Sequence, residues 1–268
     1  MHPRVSVSGL CFPELSAPDA IEAIAGLGAV STSVTGAKAR AAGAGAVVAA
    51  GRRHGVKIVT TTGSLAPDLS SVEAAGAARR RAEQDIDLAA AVGASVMYGL
   101  TGPRTNDCWD VCADGYVNAV GPLVGYAADR GVTLAIEPTS WLYADLTFIH
   151  TFHDALLVAP RAGMEICLDA FHVWTEAGLR AEIGAHTSLI AHVQLSDMTR
   201  GSRALPCRAV PGGGDVPLAA VVRWLLDAGY EGVFDCELNG PAIDAIGHHA
   251  AAAQAASWLG NLLDELGA

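Results

Sequence analysis

Short runs of apolar residues recur along the chain about every thirty residues, and alanine-rich stretches with helical periodicity separate them. The runs are about seven residues long and rich in β-branched side chains, which is typical of strands. Eight strands are predicted, at 4–10, 29–35, 56–62, 94–100, 132–138, 164–170, 190–196 and 232–238. Eight helices are predicted at 17–27, 37–54, 72–92, 113–130, 151–159, 177–185, 216–228 and 243–266.

This alternation of strand and helix predicts an α/β fold, a single (β/α)8 TIM barrel that occupies residues 1–268. The length suits that fold, which typically needs about 250 residues, and no Pro-rich or Ser-rich linker divides the chain. The alternative is an open doubly wound sheet, which usually carries a G-x-G-x-x-G sequence after its first strand. The nearest candidate, GAGAVV at 43–48, lacks the third glycine. The barrel is therefore favoured.

Composition narrows the classes of partner. The formal net charge is −11 and the pI is about 5.1, so the protein repels phosphate backbones, and the basic stretch 79–84 is interpreted as a solvated helix face. The longest apolar stretch, 41–51, is too short to span a bilayer. Six scattered cysteines without a paired CxxC motif, and the lack of a secretory signal, are typical of a reduced protein. We expect a cytoplasmic protein that binds a small-molecule substrate and neither nucleic acid nor membrane.

Four oxygen-bearing side chains come at the ends of the last four predicted strands: Glu137, Asp169, Gln194 and Glu237. In a (β/α)8 barrel these strand ends surround the active site. Each residue taken singly could be a solvated or paired polar group, but four at successive strand ends favour a site. Carboxylate and amide oxygens are hard donors that suit Mn²⁺ or Mg²⁺, with Co²⁺ as a further possibility. The sequence therefore predicts one divalent cation at the barrel mouth.

Several motifs resemble the xylose isomerase-like TIM-barrel superfamily of sugar phosphate isomerases and epimerases, which includes ketose 3-epimerases, hydroxypyruvate isomerase and inosose dehydratase. They are IEP, LDAFH, HVQLSD with a later arginine, and PGGGDVPLAAVVRWLLDAGYEGVFDCEL. The resemblance is close from about 130 to 240, while the N-terminal half agrees in its strand–helix rhythm only. Members of the superfamily are commonly dimers or tetramers, so a homo-oligomer is expected.

The resemblance implies roles for six residues. Glu137, Asp169, Gln194 and Glu237 would be the metal ligands, and Glu137 and Glu237 would also move protons. His172, three residues after Asp169, and Arg200, six residues after Gln194, would bind substrate oxygens. The loop 211–217 would shape the mouth.

Departures from the superfamily pattern affect the expected reaction. Many epimerases of the group have histidine where this chain has Gln194, and ketose epimerases tend to carry an acid where it has Tyr143. The superfamily is also related to endonuclease IV, which would need metal-binding histidines at the ends of strands three and four. These ends read TTTGS and YGLTGP and contain no histidine, so an endonuclease is not expected. The expected function is a manganese- or magnesium-dependent isomerase or epimerase of carbohydrate metabolism that removes a proton next to the carbonyl of a hydroxy-ketone. The alternatives are a dehydratase of inosose or dehydroshikimate type at the same site, and a metal-free binding protein.

Overall fold

Eight parallel strands close into a barrel in the computed structural model, which describes the whole chain, Met1–Ala268. These strands are β1 (Val5–Val7), β2 (Ser31–Val34), β3 (Lys57–Thr62), β4 (Val96–Gly99), β5 (Thr133–Ile136), β6 (Glu165–Asp169), β7 (Ile190–Leu195) and β10 (Phe234–Cys236). Neighbours in sequence pair around the barrel, and β10 closes it against β1. The predicted (β/α)8 barrel is thus confirmed. Two further strands, β8 (Asp197–Met198) and β9 (Arg208–Ala209), form a separate antiparallel pair.

Helices surround the barrel. They are α1 (Ala17–Gly26), α2 (Gly36–Ala42), α3 (Ala44–His54), α4 (Val72–Val92), α5 (Trp109–Ala128), α6 (Phe152–Ala162), α7 (Ala170–Val173), α8 (Leu179–His186), α9 (Leu218–Asp227), α10 (Pro241–Ile246) and α11 (His248–Leu266). The predicted helices 37–54 and 243–266 are each divided in two, because Gly43 (φ 81°) and Gly247 (φ 91°) adopt a backbone conformation that a right-handed helix cannot contain. None of the helices combines the length and apolar character needed to cross a bilayer.

The two faces of the barrel wall differ in polarity. Val5 and Val7 on β1 belong to a cluster of 63 buried apolar residues that includes side chains of the surrounding helices. Ser6, between them, faces the opposite way and donates to Asp235 at 2.6 Å, as does Ser33 from β2, also at 2.6 Å. Since side chains alternate along a strand, the main apolar core lies outside the wall. The barrel interior is correspondingly polar.

Candidate active site

The four strand-end residues predicted from the sequence occupy one layer of the barrel interior. All four are at least nine-tenths buried: Glu137, Asp169, Gln194 and Glu237. The positions two residues earlier face the same way, one layer deeper: Ala135, Cys167, His192 and Asp235. The layer of Glu137, Asp169, Gln194 and Glu237 lies where β5, β6, β7 and β10 end, at the mouth of the barrel. Strand alternation and register bring these residues together, as the pairing of Asp169 with Gln194 shows.

Gln194 connects neighbouring residues at the mouth. Its amide nitrogen donates to the hydroxyl of Tyr98 at 2.9 Å and to a carboxylate oxygen of Glu237, and its amide oxygen accepts from the Cys167 thiol at 3.1 Å. Tyr98 also donates to Glu237 at 3.4 Å. Gln194 thus holds the Glu237 carboxylate in place through a hydrogen bond from its side-chain amide nitrogen.

Arg208 lies among the carboxylates, although the sequence interpretation did not single it out. Its Nη2 is 2.7 Å from Oδ2 of Asp169 and 2.9 Å from Oε1 of Glu237, and its Nη1 donates to Ser196 at 2.7 Å. The guanidinium carbon stacks 4.4 Å from the centre of the Phe171 ring. Only 4% of Arg208 is exposed, so this residue is a built-in cation of the site.

Asp197 positions the segment that carries Arg208. Its buried carboxylate accepts four backbone N–H bonds, at 2.9 to 3.1 Å, from Met198, Gly212, Gly214 and Val216. The Asp197 carboxylate therefore connects Met198, at the start of this segment, with Gly212, Gly214 and Val216 at its end. The β8–β9 pair, in which Met198 faces Arg208 in register, completes the fold of the segment and directs Arg208 to the mouth.

His172 lies on α7, the single helical turn that follows β6. Asp169 caps this turn by accepting from the backbone N–H of Phe171 at 3.0 Å. The Nε2 atom of His172 lies 3.6 Å from Oδ2 of Asp169 and 3.9 Å from Oε1 of Glu137. Ligand atoms of these three residues all lie within 4.8 Å of one another. Two carboxylates and an imidazole suit a divalent first-row cation, so this group can hold a metal ion.

Burial and neighbouring charges shift the pKa values of the four titratable groups at the mouth in different directions. The groups are Glu137, Asp169, His172 and Glu237. Burial, followed by the charges of Glu237 and Asp169, raises the pKa of Glu137 well above its ordinary value. Burial raises the pKa of Glu237 to about 7, although Arg208 opposes the shift. Burial alone would raise the pKa of Asp169, but the charges of Arg208 and His172 and hydrogen bonds outweigh it and leave that pKa lowered. Burial lowers the pKa of His172 to about 4, so its imidazole is neutral near pH 7 and can serve as a ligand.

Arg200, predicted to bind substrate, lies elsewhere. Its side chain is 75% exposed and bonds to Oδ1 of Asp215 through Nε at 2.9 Å and Nη2 at 2.8 Å. The structure therefore brings together five of the six predicted residues, and a substrate contact of Arg200 stays a prediction. The sequence has no local signal for the missed residue, Arg208, because its place at the mouth depends on long-range bonds from the backbone of Gly212, Gly214 and Val216 to Asp197.

Fold and site define a (β/α)8 barrel whose mouth carries a buried carboxylate cluster able to hold a metal ion. The model of the xylose isomerase-like TIM-barrel family matches residues 19–262, and the chain belongs to this family. No curated protein sequence matches it at a significant level.

Solved structures repeat the fold over the whole chain. A protein from Sinorhizobium meliloti 1021 superposes with a TM-score of 0.85 at 20% identity, covering 98% of both chains. The IOLI protein with a bound zinc atom gives a TM-score of 0.83 at 14% identity, and D-allulose 3-epimerase from Methylomonas sp. gives 0.78 at 17%, each covering 98% of both chains. At these identities the likeness establishes the fold.

Proposed function

We propose that this protein is a divalent-metal-dependent isomerase or epimerase that acts on a hydroxy-ketone, either a sugar or a cyclic polyol. The observation that carries the proposal is the convergence of three buried carboxylates and a neutral imidazole at the barrel mouth. The fold is also that of D-allulose 3-epimerase and L-ribulose 3-epimerase, whose names describe this class of reaction.

The reaction requires removal of a proton from carbon next to a carbonyl group. A divalent cation would supply positive charge that stabilises the resulting enediolate. Glu137 and Asp169 belong both to the ligand set expected from the sequence, with Gln194 and Glu237, and to the group that includes His172. Their carboxylates suit Mn²⁺ or Mg²⁺, and Co²⁺ also accepts mixed oxygen and nitrogen ligands.

Glu137 and Glu237 form the proposed acid–base pair. A pKa of about 7 makes Glu237 partly ionised and basic at neutral pH, which is the range in which a general base works best. Burial and the charges of Glu237 and Asp169 raise the pKa of Glu137, which favours this carboxylate as the second proton-transfer group of the pair. Two carboxylates with different environments can thus take one proton and return another. His172 and Arg200 are proposed to bind substrate oxygens.

A dehydratase acting on a cyclic polyol is the second candidate. Tyr143 lies with its ring centre 5.5 Å from that of His172, at the position where ketose epimerases tend to carry a further acid. An aromatic side chain there favours a less polar or cyclic substrate. Expulsion of a β-hydroxyl from the same carbanion would then give an unsaturated product instead of an isomer.

The test uses Mn²⁺-loaded protein in D₂O with keto-sugars, cyclic polyols and dehydroshikimate-like acids, and follows deuterium uptake at carbon by NMR. Glu137→Gln and Glu237→Gln should each slow exchange by about 10²–10⁴, the usual contribution of a positioned general base. Glu165→Gln is the matched control, because Glu165 begins β6 at the opposite end of the barrel. Exchange at the wild-type rate in both variants would refute the assignment, and olefinic or aromatic proton signals that the substrate lacks would identify the dehydratase.

A further inference from the structure

A groove on the outer surface, between α2 and α4, concentrates positive charge. It encloses about 680 Å³ and is lined by three arginines, one glutamine and three alanines, with no acidic residue. The arginines are Arg40 on α2, and Arg80 and Arg81 on α4. The whole chain has 28 acidic and 17 basic residues and a net charge of −11. The groove is therefore a local basic site on an acidic protein, which attracts small anions.

Helical spacing brings these side chains to the groove. Arg80, Arg81 and Gln84 follow Ala77 at i+3, i+4 and i+7, which places all four on one face of α4. On the facing helix, Arg40 lies between two alanines that also line the groove. Because alanine side chains are short, space remains between the long arginine side chains for a bound molecule.

Arg40 is held at the side of the groove by a buried carboxylate. It forms an ion pair with Asp85, which is only 6% exposed. The other carboxylate oxygen of Asp85 accepts from the backbone N–H of Ser64 at 2.9 Å. Since both oxygens of Asp85 are bonded, the position of Arg40 is fixed, while 49% of its side chain stays exposed.

Arg80 and Arg81 have no carboxylate partner. Both residues are exposed, and neither forms an ion pair or a side-chain hydrogen bond within the chain. Their neighbour Arg79 lies on another face of α4 and pairs with Glu83 at 2.9 Å. The basic stretch 79–84 thus combines one arginine paired at the surface with two that are free to bind an external anion.

Unpaired guanidinium groups on one helix face suit an anion with several oxygens. A guanidinium binds phosphate oxygens through two parallel N–H···O bonds, so two guanidinium groups suit two linked phosphate groups. The volume of the groove lies in the range of small-molecule sites. A longer polyanion would extend beyond the groove toward Glu73 and Asp87, exposed acids of the same helix, which would repel it.

We infer that the groove between α2 and α4 binds a small molecule that carries two or more phosphate groups. Arg80 and Arg81 bind the phosphate oxygens, and Arg40 supplies a third, fixed positive charge. The groove lies outside the barrel wall, apart from the carboxylates of the mouth. This inference therefore goes beyond the proposed reaction and does not depend on it.

Calorimetric titration of the full-length chain with pyrophosphate tests the site. The titration is done at low ionic strength and without divalent cations, so that binding does not report a metal ion at the mouth. Arg80→Gln and Arg81→Gln should each weaken binding at least about tenfold, because a charge-assisted bond is lost. Arg79→Gln is the matched control and should change binding less than about threefold, since its guanidinium is already paired and exposed. No measurable binding, or an equal loss in the Arg79→Gln variant, would overturn the inference.

A second variant separates a shaped site from general attraction of anions. Ala77→Leu fills the groove without changing the charge, so it should also weaken pyrophosphate binding. Titration with ADP and with adenosine distinguishes the source of the phosphates: tighter binding of ADP than of pyrophosphate identifies a nucleotide, and equal binding identifies the phosphate groups alone. Binding of adenosine as tight as that of ADP, or of a single-stranded oligonucleotide with no effect of Ala77→Leu, would contradict a compact phosphate site.

Discussion

Replacing Asp197 with Asn should release the segment that carries Arg208. In the structure Oδ1 accepts from the N–H groups of Met198 and Val216, and Oδ2 from those of Gly212 and Gly214. The amide of Asn turns one oxygen into a donor, so two of the four bonds are lost and the other two lose their charge assistance. Bonds to a charged acceptor contribute about 1.5–3 kcal/mol each. When the Asn oxygen keeps the bonds from Met198 and Val216, the freed N–H groups are those of the exposed Gly212 and Gly214, which can reach water, so the local loss should be about 3 kcal/mol.

The assay is backbone hydrogen exchange, read by NMR at Gly212, Gly214 and Val216. A loss of about 3 kcal/mol corresponds to exchange about 10²-fold faster at these amides, while amides of the barrel strands should keep their protection. Asp215→Asn is the matched control, since that carboxylate lies in the same segment but bonds to the exposed Arg200. Unchanged exchange at the three amides in Asp197→Asn would refute the reasoning.

Two further predictions concern stability. Burial raises the pKa of Glu176 to about 7, so ionisation is less favourable in the folded state, and stability falls as pH rises from the ordinary glutamate pKa through 7. The Glu176→Gln side chain can still accept from the N–H of Phe152. This variant should raise the melting temperature by about 2 °C at pH 8 and leave it unchanged at pH 4. An equal effect at both pH values would contradict the prediction. Gly36→Ala should destabilise the protein by about 1–3 kcal/mol in urea denaturation, because an added Cβ would lie 2.5 Å from the carbonyl oxygen of Thr62. Gly121→Ala is its control, since nothing lies within 4 Å of the new atom and the change should stabilise α5 by about 0.5–1 kcal/mol. An unchanged stability of Gly36→Ala would contradict the steric argument.

The strand and helix order was predictable because its signals are local. Apolar runs and helical periodicity mark every barrel strand and the helices between them, so all eight strands fall within the predicted ranges. The breaks at Gly43 and Gly247 were missed because alanine-rich periodicity continues across both glycines. The β8–β9 pair was missed because each strand has two residues, too few to show alternation.

The composition of the site was predictable only in part. Strand ends identify Glu137, Asp169, Gln194 and Glu237 because register in a parallel barrel brings those ends to one rim. The choice between Arg200 and Arg208 depends on where the segment after β7 turns back, and long-range bonds to Asp197 and Asp215 decide this. No local pattern contains that information.

The two glutamates of the proposed acid–base pair differ in how firmly the protein holds them. Glu237 accepts hydrogen bonds from Arg208, Gln194 and Tyr98, whose ring also stacks on His192 in the deeper layer with ring centres 6.1 Å apart. Glu137 has His172 nearby at 3.9 Å, beyond hydrogen-bonding distance. A carboxylate fixed from three sides is preorganised for proton transfer, whereas one without a bonded partner gains most from an added cation. The asymmetry therefore favours Glu137 as the ligand and Glu237 as the base.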